Sequence, residues 1–233
     1  MTSTVVIGST GLVVGGSHIL STLLQLPSIS SVRTFTRRAP KDTGAKLNAT
    51  VEDSAKWPAS ISAITPPADI FFSALGTTRG QAGGFDNQRK IDYDLNLEAA
   101  QAAKKAGVKV YVLISTGGAN PNSMMGYPKM KGELEEAVKA LGFEKTVILR
   151  PGLILGGRDH LRTAEYALQG VARVFGAISG GYLSDGWAQD ADVIAKAAVS
   201  GGLRALAGEG PASLIMGQPE ILRLGRTEWK SEE

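Results

Sequence analysis

Val5-Val6-Ile7-Gly8-Ser9-Thr10-Gly11 is the stretch that decides the fold of this 233-residue chain. It predicts a buried strand at 4–8 that runs into a glycine-rich turn, and the pattern of 11–26 predicts a helix directly afterwards. This order is typical of dinucleotide binding, because backbone N–H groups and the helix N-terminus then face the pyrophosphate. We therefore expect the following residues to contact a nucleotide cofactor: Gly8, Ser9, Thr10, Gly11, Leu12 and Val13.

The glycine turn is two residues longer than the dinucleotide-binding pattern. Gly8 and Gly11 are three apart, and the next glycine is expected at Val14, whereas glycines stand at 15 and 16. Three interpretations are open: these glycines absorb a bulge, the helix begins later, or the phosphate site is damaged. We expect a cofactor loop rather than a structural turn, because the glycines follow the first strand and open a helix.

Strand-like apolar runs alternate with helical patterns along the rest of the chain. Strands are predicted at 32–36, 47–51, 69–75, 108–114 and 146–149, and helices at 87–106 and 128–141. Strands separated by helices predict a doubly wound parallel sheet with helices on both faces, an α/β Rossmann fold. After Gly152, further segments are predicted as helices at 161–174 and 190–198 and a short run at 214–216. We expect one NAD(P)-binding domain over 1–233, with 153–233 forming a small C-terminal portion.

The composition limits the classes of protein. The chain has no cysteine, which excludes disulfides, and its two histidines lack a spaced ligand pattern, so no metal site is expected. A net charge of +3 suits an anionic ligand but is too small and dispersed to indicate nucleic acid. Without an apolar run of roughly 20 residues or a targeting pattern at the N-terminus, we expect a cytoplasmic chain with no leader.

Residues at strand ends predict which dinucleotide binds. Arg37 and Arg38 follow the second strand, where an acidic residue would hold the ribose 2′-hydroxyl of NAD and an arginine accommodates the 2′-phosphate of NADP. The fourth strand ends in Leu75, Gly76 and Thr77, and small residues there let the backbone approach a ligand. We expect NADP, although two surface arginines of a loop would look the same.

The candidate catalytic set comprises Ser115, Thr116, Tyr127 and Lys131. Tyrosine is a poor acid at its ordinary pKa near 10, and a cationic lysine nearby favours the phenolate and lowers that pKa. The hydroxyls of Ser115 and Thr116 would position a substrate carbonyl, and Lys131 would also bind the nicotinamide ribose. Because a residue before proline disfavours helical geometry, we expect Tyr127 at the N-cap and Lys131 one turn further on. A lone Tyr-x-x-x-Lys would otherwise mark a solvated helix face.

Together these residues resemble the short-chain dehydrogenase/reductase superfamily, in its atypical, extended-like branch. The resemblance covers nearly the whole chain, from the glycine loop through Arg37 and 75–80 to 150–152. It implies a Rossmann fold, NADP as the cofactor and a Ser/Thr–Tyr–Lys catalytic set. It also adds expected cofactor contacts at Asn96, Tyr127, Lys131, Pro151 and Gly152.

A narrower resemblance is to the fungal "found in mitochondrial proteome" group, related to the animal Tat-interacting protein. It rests on Gly-Thr-Thr-Arg-Gly at 76–80, Tyr-Pro-Lys-Met-Lys-Gly-Glu-Leu-Glu at 127–135 and Leu-Gly-Arg-Thr-Glu-Trp-Lys at 224–230. This resemblance implies peripheral association with the cytosolic face of the mitochondrial outer membrane.

Three functional hypotheses remain open from the sequence. The first is an NADP-dependent oxidoreductase that reduces a small carbonyl substrate by hydride transfer, with Tyr127 as the proton donor. The second is a non-catalytic NADPH-sensing interaction protein, because the C-terminal portion leaves little material for a substrate pocket. The third is a scaffold that binds nothing, which the longer loop would explain. The helices at 87–106 and 128–141 could pair across a homodimer axis but would look the same in a monomer.

Overall fold

A parallel sheet of seven strands dominates the part of the chain that the structure, a computed structural model, describes: residues 1–10, 15–155 and 188–230. The strands of the chain are β1 (Thr2–Ile7), β2 (Ile29–Thr36), β3 (Leu47–Val51), β4 (Ile70–Ser73), β5 (Val110–Ile114), β6 (Lys145–Leu149), β7 (Leu153–Leu155), β8 (Ala188–Asp190) and β9 (Ser213–Met216). The order in the main sheet is β3-β2-β1-β4-β5-β6-β9, while β7 and β8 pair separately. The helix predicted at 161–174 lies outside the described residues, as do Gly11, Leu12 and Val13.

Helices connect the strands and cover both faces of the sheet. The α-helices are α1 (Gly15–Gln25), α2 (Trp57–Ser62), α3 (Arg79–Ala82), α4 (Phe85–Arg89), α5 (Asn96–Lys105), α6 (Gly126–Ala140), α7 (Ala191–Leu206) and α8 (Gln218–Leu222). One core lies between the sheet and α1, α7 and α8, and the other between the sheet and α2, α5 and α6. Strand side chains alternate between faces, so Phe71 joins the second core and Phe72 the first. Burial on both sides explains the uninterrupted apolar strands.

The strand order reverses at β1 and β4, which are neighbours in the sheet although two strands separate them in sequence. The chain builds outward from β1 to β3 on one side and from β4 to β9 on the other. Ligands of open α/β sheets bind outside the carboxyl ends of the strands at such a reversal. The predicted fold class, a doubly wound parallel sheet, is confirmed.

The glycine turn after β1 is followed by helix α1, whose described residues start at Gly15. Gly8 has a φ of 84°, and a Cβ there would lie 2.5 Å from the carbonyl carbon of Ala74, so a side chain has no space. Helix α1 begins at Gly15, and a Cβ on Gly16 would lie 2.6 Å from the carbonyl carbon of Gly8. Gly16 therefore takes the role of the third glycine, which lets helix and strand pack closely.

Three predicted helices differ from those observed. The helix predicted at 87–106 contains a π-helical segment at Lys90–Leu95, which joins α4 to α5. The helix predicted at 190–198 continues to Leu206, because two glycines allow α7 to lie directly on the sheet beside Phe72 and Met216. Helix α6 begins at Gly126 with Met125 as the N-cap, so the prediction of Tyr127 at the N-cap is wrong.

Candidate active site

A cleft of about 930 Å³ opens at the carboxyl ends of β4 and β5, beside the strand reversal. Its walls are Ala74, Leu75, Gly76, Thr77, Thr78, Arg79, Phe85, Gln88, Asp92, Ile114, Ser115, Thr116, Gly126, Tyr127, Lys131 and Gly152. The cleft therefore combines the two strand-end loops with the start of α6. Eight of the predicted site residues contribute to it: Leu75, Gly76, Thr77, Ser115, Thr116, Tyr127, Lys131 and Gly152.

The glycine turn meets this cleft through the strand-end loop after β4. Gly8 packs against the backbone of Ala74, which is itself part of the cleft wall. The buried Ser9 hydroxyl lies 2.6 Å from that of Thr34. Because the Thr34 hydroxyl donates its proton to the carbonyl of Val6, Ser9 must be the donor of the pair. The Ser9 side chain is thus used within the fold, and its backbone faces the turn.

The two arginines predicted to bind the ribose 2′-phosphate, Arg37 and Arg38, differ in their contacts. Both side chains are exposed just after β2. Arg38 donates from Nη2 to the carbonyl of Thr10 at 3.2 Å, which ties the end of β2 to the glycine turn. The preceding Thr36 has a buried hydroxyl with no partner among the described residues. Arg37 is the cation directly after Thr36, while Glu52, which follows the neighbouring strand β3, donates its N–H to the Thr36 carbonyl at 2.9 Å.

Asn96 does not line the cleft but forms hydrogen bonds to the end of β4 and the loop that follows it. It is fully buried, and its Oδ1 accepts a hydrogen bond from the Ser73 hydroxyl at 2.7 Å. Its Nδ2 donates to the carbonyl of Leu75 at 3.2 Å. Pro151, another predicted cofactor contact, is also buried outside the cleft, where its carbonyl accepts from the N–H of Gly117. Both residues fix strand-end loops, so their effect on a ligand is indirect.

The catalytic set converges on the cleft, but its two hydroxyls are not equivalent. The Ser115 hydroxyl is buried and donates to the carboxylate of Glu135. Thr116 follows it on the same loop and lines the cleft. Lys131 is only 3% exposed, and its Nζ donates to the carbonyl of Ile114 at 3.4 Å. Thr116 is therefore the hydroxyl placed to contact a ligand.

The buried Glu135 forms an ion pair with the partly exposed Arg150 beside the loop that carries Ser115 and Thr116. The Glu135 side chain is fully buried, and Arg150 donates to both of its oxygens, with distances between 2.5 and 3.2 Å. The fork of a guanidinium matches the two oxygens of a carboxylate, which makes this a strong and directional contact. The pair fixes the Glu135 oxygen that holds Ser115. Sequence reasoning missed Glu135, although its spacing of four from Lys131 places both beside the apolar stripe of α6.

Asp92 is a second buried carboxylate that sequence reasoning missed. It lies in the π-helical segment, is 1% exposed, and lines the cleft. Its Oδ1 accepts a hydrogen bond from the Thr77 N–H at 2.7 Å, and Gln88 donates to the Thr77 carbonyl at 3.1 Å. Burial raises the pKa of Asp92 to about 6, although the charge of Lys131 opposes this shift. π-Helical segments are frequent at functional sites, as here.

The pKa of Tyr127 differs from the sequence expectation. Burial of the phenol oxygen and the nearby charge of Asp92 raise this pKa to about 12, although the ring is 40% exposed. The expected lowering by Lys131 is not found. Burial instead lowers the pKa of Lys131, while the carboxylates of Asp92 and Glu135 raise it. Tyr127 is thus held in its protonated form, which is the form that donates a proton.

The relationship of the chain to known proteins agrees with this geometry. A family profile described as NAD(P)H-binding matches residues 8–175. The protein fmp52, mitochondrial, of Aspergillus fumigatus is 53% identical over 234 residues, which cover 97% of this chain and 99% of that protein. The chain belongs to the fmp52 family of NAD(P)H-binding proteins. The sequence-based assignment to the fungal mitochondrial group is thereby confirmed.

Solved structures similar to this fmp52-family chain share its fold at low identity. The UDP-N-acetylglucosamine 4-epimerase of Methanobrevibacter ruminantium superposes with a TM-score of 0.66 and 18% identity, over 93% of this chain and 76% of that one. The enzyme WbmH of Bordetella bronchiseptica, in complex with NAD+, gives 0.64 and 19%, over 93% and 75%. Within the described residues of this fmp52-family chain, no helix is long and apolar enough to cross a membrane.

Proposed function

We propose that this fmp52-family protein is an NADP-dependent reductase of a small carbonyl compound. The observation that carries the proposal is that Thr116, Tyr127 and Lys131 line the same cleft as the strand-end loop at 75–77. A hydroxyl, a phenol and an ammonium on one cleft can orient a carbonyl oxygen and protonate it. The cleft also adjoins the glycine turn, so a dinucleotide and a small substrate could meet there.

The residues present fit a dinucleotide. The turn at Gly8 leaves no room for a side chain, while a Cβ at the buried Gly15 would meet no described atom within 4 Å, so a pyrophosphate would lie against the start of α1. We expect Arg37 to bind the ribose 2′-phosphate and the loop at 75–77 to contact the nicotinamide half. When bound, reduced NADP supplies the hydride.

Each catalytic side chain has a defined task in this proposal. The Thr116 hydroxyl holds the carbonyl oxygen, because the neighbouring Ser115 hydroxyl is used by Glu135. Tyr127 donates its phenolic proton to that oxygen, and its raised pKa keeps the proton in place until the carbonyl carbon is reduced. Lys131 places a positive charge beside the phenol oxygen as it becomes anionic.

The test is Tyr127→Phe, which removes the phenolic oxygen and keeps the ring. We expect turnover of aldehydes or ketones to fall at least ~100-fold, the usual contribution of a general acid. Calorimetry should give an unchanged affinity for NADPH. Tyr93→Phe is the matched control, because that ring lies outside the cleft and should leave turnover unchanged. Full turnover by Tyr127→Phe would refute the assignment.

The preference for NADP is tested separately at Arg37. We expect wild-type protein to bind NADPH more tightly than NADH in calorimetric titrations. Arg37→Glu should reverse that order, because a carboxylate repels the 2′-phosphate and accepts a hydrogen bond from the 2′-hydroxyl. An unchanged preference in Arg37→Glu would place the phosphate-binding residue elsewhere.

A second candidate function is a non-catalytic NADPH sensor that a partner protein reads at the mitochondrial outer membrane. Two observations favour it: Ser115 is engaged by Glu135, and the pKa of Tyr127 is far from neutral. This function predicts that the protein binds NADPH and does not oxidise it across a panel of aldehydes and ketones.

The mitochondrial names of relatives motivate the proposed location. Carbonate extraction and protease treatment of intact mitochondria test peripheral binding to the cytosolic face. Sedimentation with and without NADPH tests a homodimer.

A further inference from the structure

The buried carboxylate of Asp92 has no assigned role in the proposed reaction. The side chain is 1% exposed and belongs to the cleft wall, opposite the start of α6. Its Oδ1 is fixed by the Thr77 N–H at 2.7 Å, so the carboxylate cannot swing out to solvent without breaking that hydrogen bond. A buried acid held on the wall of a cleft that also contains Tyr127 and Lys131 must affect their protonation.

The balance of charges around Lys131 identifies Asp92 as its counter-ion. Burial lowers the pKa of Lys131, and the charges of two buried carboxylates, Asp92 and Glu135, oppose this shift and favour its charged form. Arg150 donates to both oxygens of Glu135, so the charge of Glu135 is already balanced. The carboxylate left to balance Lys131 is Asp92.

The other charged side chains around Asp92 either pair with other residues or are exposed. From α4, Arg89 donates to Glu133 at 2.8 Å and its guanidinium lies over the ring of Tyr93. Arg79, the first residue of α3, is exposed at the cleft rim. From α5, Glu98 is exposed on the outer surface. Lys131 and Tyr127 of α6 therefore respond most directly to the charge of Asp92.

We propose that Asp92 is a positioning residue for the proton of Tyr127: its buried carboxylate, fixed on the cleft wall by the Thr77 N–H, balances the ammonium of Lys131 and holds the proton on the Tyr127 phenol until the carbonyl is reduced. This inference rests on the proposed reductase function. In reduction, the carbonyl carbon gains a hydride from reduced NADP as the Tyr127 O–H bond breaks and its proton passes to the carbonyl oxygen. The phenolate then regains a proton from water, and the nearby carboxylate favours that return because it destabilises the phenolate.

The experiment compares the ionisation of Tyr127 in wild-type protein, Asp92→Asn and Asp94→Asn. Asp94 lies two residues further along the same π-helical segment and is exposed, so it carries the same charge change away from the cleft. Tyrosinate is followed by ultraviolet absorbance during alkaline titration, and the Tyr127→Phe form of each protein identifies the signal of Tyr127. We expect Tyr127 of Asp92→Asn to ionise at a pH about 1 lower than in wild type, and Asp94→Asn to match wild type. Equal ionisation in all three proteins would overturn the proposal.

A second measurement needs only wild-type protein, in case Asp92→Asn does not fold. The carboxyl carbon of Asp92 and the ε-carbon of Lys131 are followed by NMR as the pH is varied. We expect Asp92 to titrate with a midpoint of about 6 and the Lys131 signal to move with the same midpoint. A Lys131 signal that is constant through the Asp92 titration would contradict the proposal. Neither measurement uses turnover or cofactor, so an inactive wild-type protein would contradict only the reductase function.

Discussion

Alanine substitution should lower the free energy of unfolding at one of the two adjacent glycines at the start of α1 but not at the other. Gly15→Ala adds a methyl group into open space, whereas Gly16→Ala places it 2.6 Å from the carbonyl carbon of Gly8. Ordinary van der Waals contact begins at 3.4 Å and the Gly8 carbonyl oxygen is nearer still, so α1 must move from the turn by at least about 0.8 Å. The neighbour is backbone, which cannot change rotamer to make room.

The expected magnitudes follow from this geometry. Overpacking of this kind costs about 1–3 kcal/mol and sometimes more. An alanine inside a helix recovers up to about 1 kcal/mol relative to glycine, and it should contribute a few tenths at the first position of α1. We expect Gly16→Ala to lose about 2 kcal/mol of unfolding free energy and Gly15→Ala to lose none.

Urea denaturation followed by circular dichroism measures both variants. With an m-value of about 2–3 kcal/mol/M, the midpoints of the two variants should differ by about 1 M. Equal midpoints would refute the conclusion that Gly16 is the packing glycine of a lengthened turn. NADPH titration of Gly15→Ala adds a functional readout, because an added methyl group at that position would oppose a pyrophosphate at the helix N-terminus.

Two further predictions concern the buried charges. Arg150→Met leaves the carboxylate of Glu135 buried without its partner, so urea denaturation should reveal a loss of about 2–4 kcal/mol, whereas Arg89→Met, which breaks a more exposed pair, should lose less than about 1 kcal/mol. Similar losses would mean that burial does not distinguish the pairs. The folded-state pKa of Asp92 is raised from 3.8 to about 6, so the folded protein binds the extra proton and its unfolding free energy falls as pH rises through this window. We expect wild type to lose about 3 kcal/mol relative to Asp92→Asn across the window, while Asp94→Asn follows wild type.

Local sequence signals predicted the framework of this protein well. The runs at 32–36, 47–51 and 146–149 are strands as expected, although only β6 is apolar and buried along most of its length, whereas β3 is an exposed edge strand. The glycine pattern predicted the turn after β1 but left three interpretations open. The tertiary contact between Gly16 and Gly8 distinguishes the second glycine of the pair from the first, whereas residues 11–14, which would decide between the interpretations, lie outside the described part of the chain.

The buried acids could not be predicted from the same signals. Asp92 stands in Asp-Tyr-Asp, which reads as a solvated helix face, and Glu135 stands among other acids in a helix rich in Glu and Lys. Their burial depends on partners far away in sequence, the Thr77 N–H for one and Arg150 for the other. A four-residue spacing between Lys131 and Glu135 was the available signal, and it is also the spacing of an ordinary surface ion pair.

The position of Pro128 illustrates how tertiary contacts overrode a local preference. A residue before proline disfavours helical geometry, and this placed Tyr127 at the N-cap in the sequence interpretation. In the structure, α6 starts two residues earlier than predicted, at Gly126, where a Cβ would lie 2.9 Å from the ring of Phe85. Proline within the first turn loses no helical hydrogen bond, because the first N–H groups of a helix have no acceptor inside it. Tyr127 is therefore carried by the first turn of α6, on the same helix as Lys131, and the charge of Asp92 reaches both residues across the cleft.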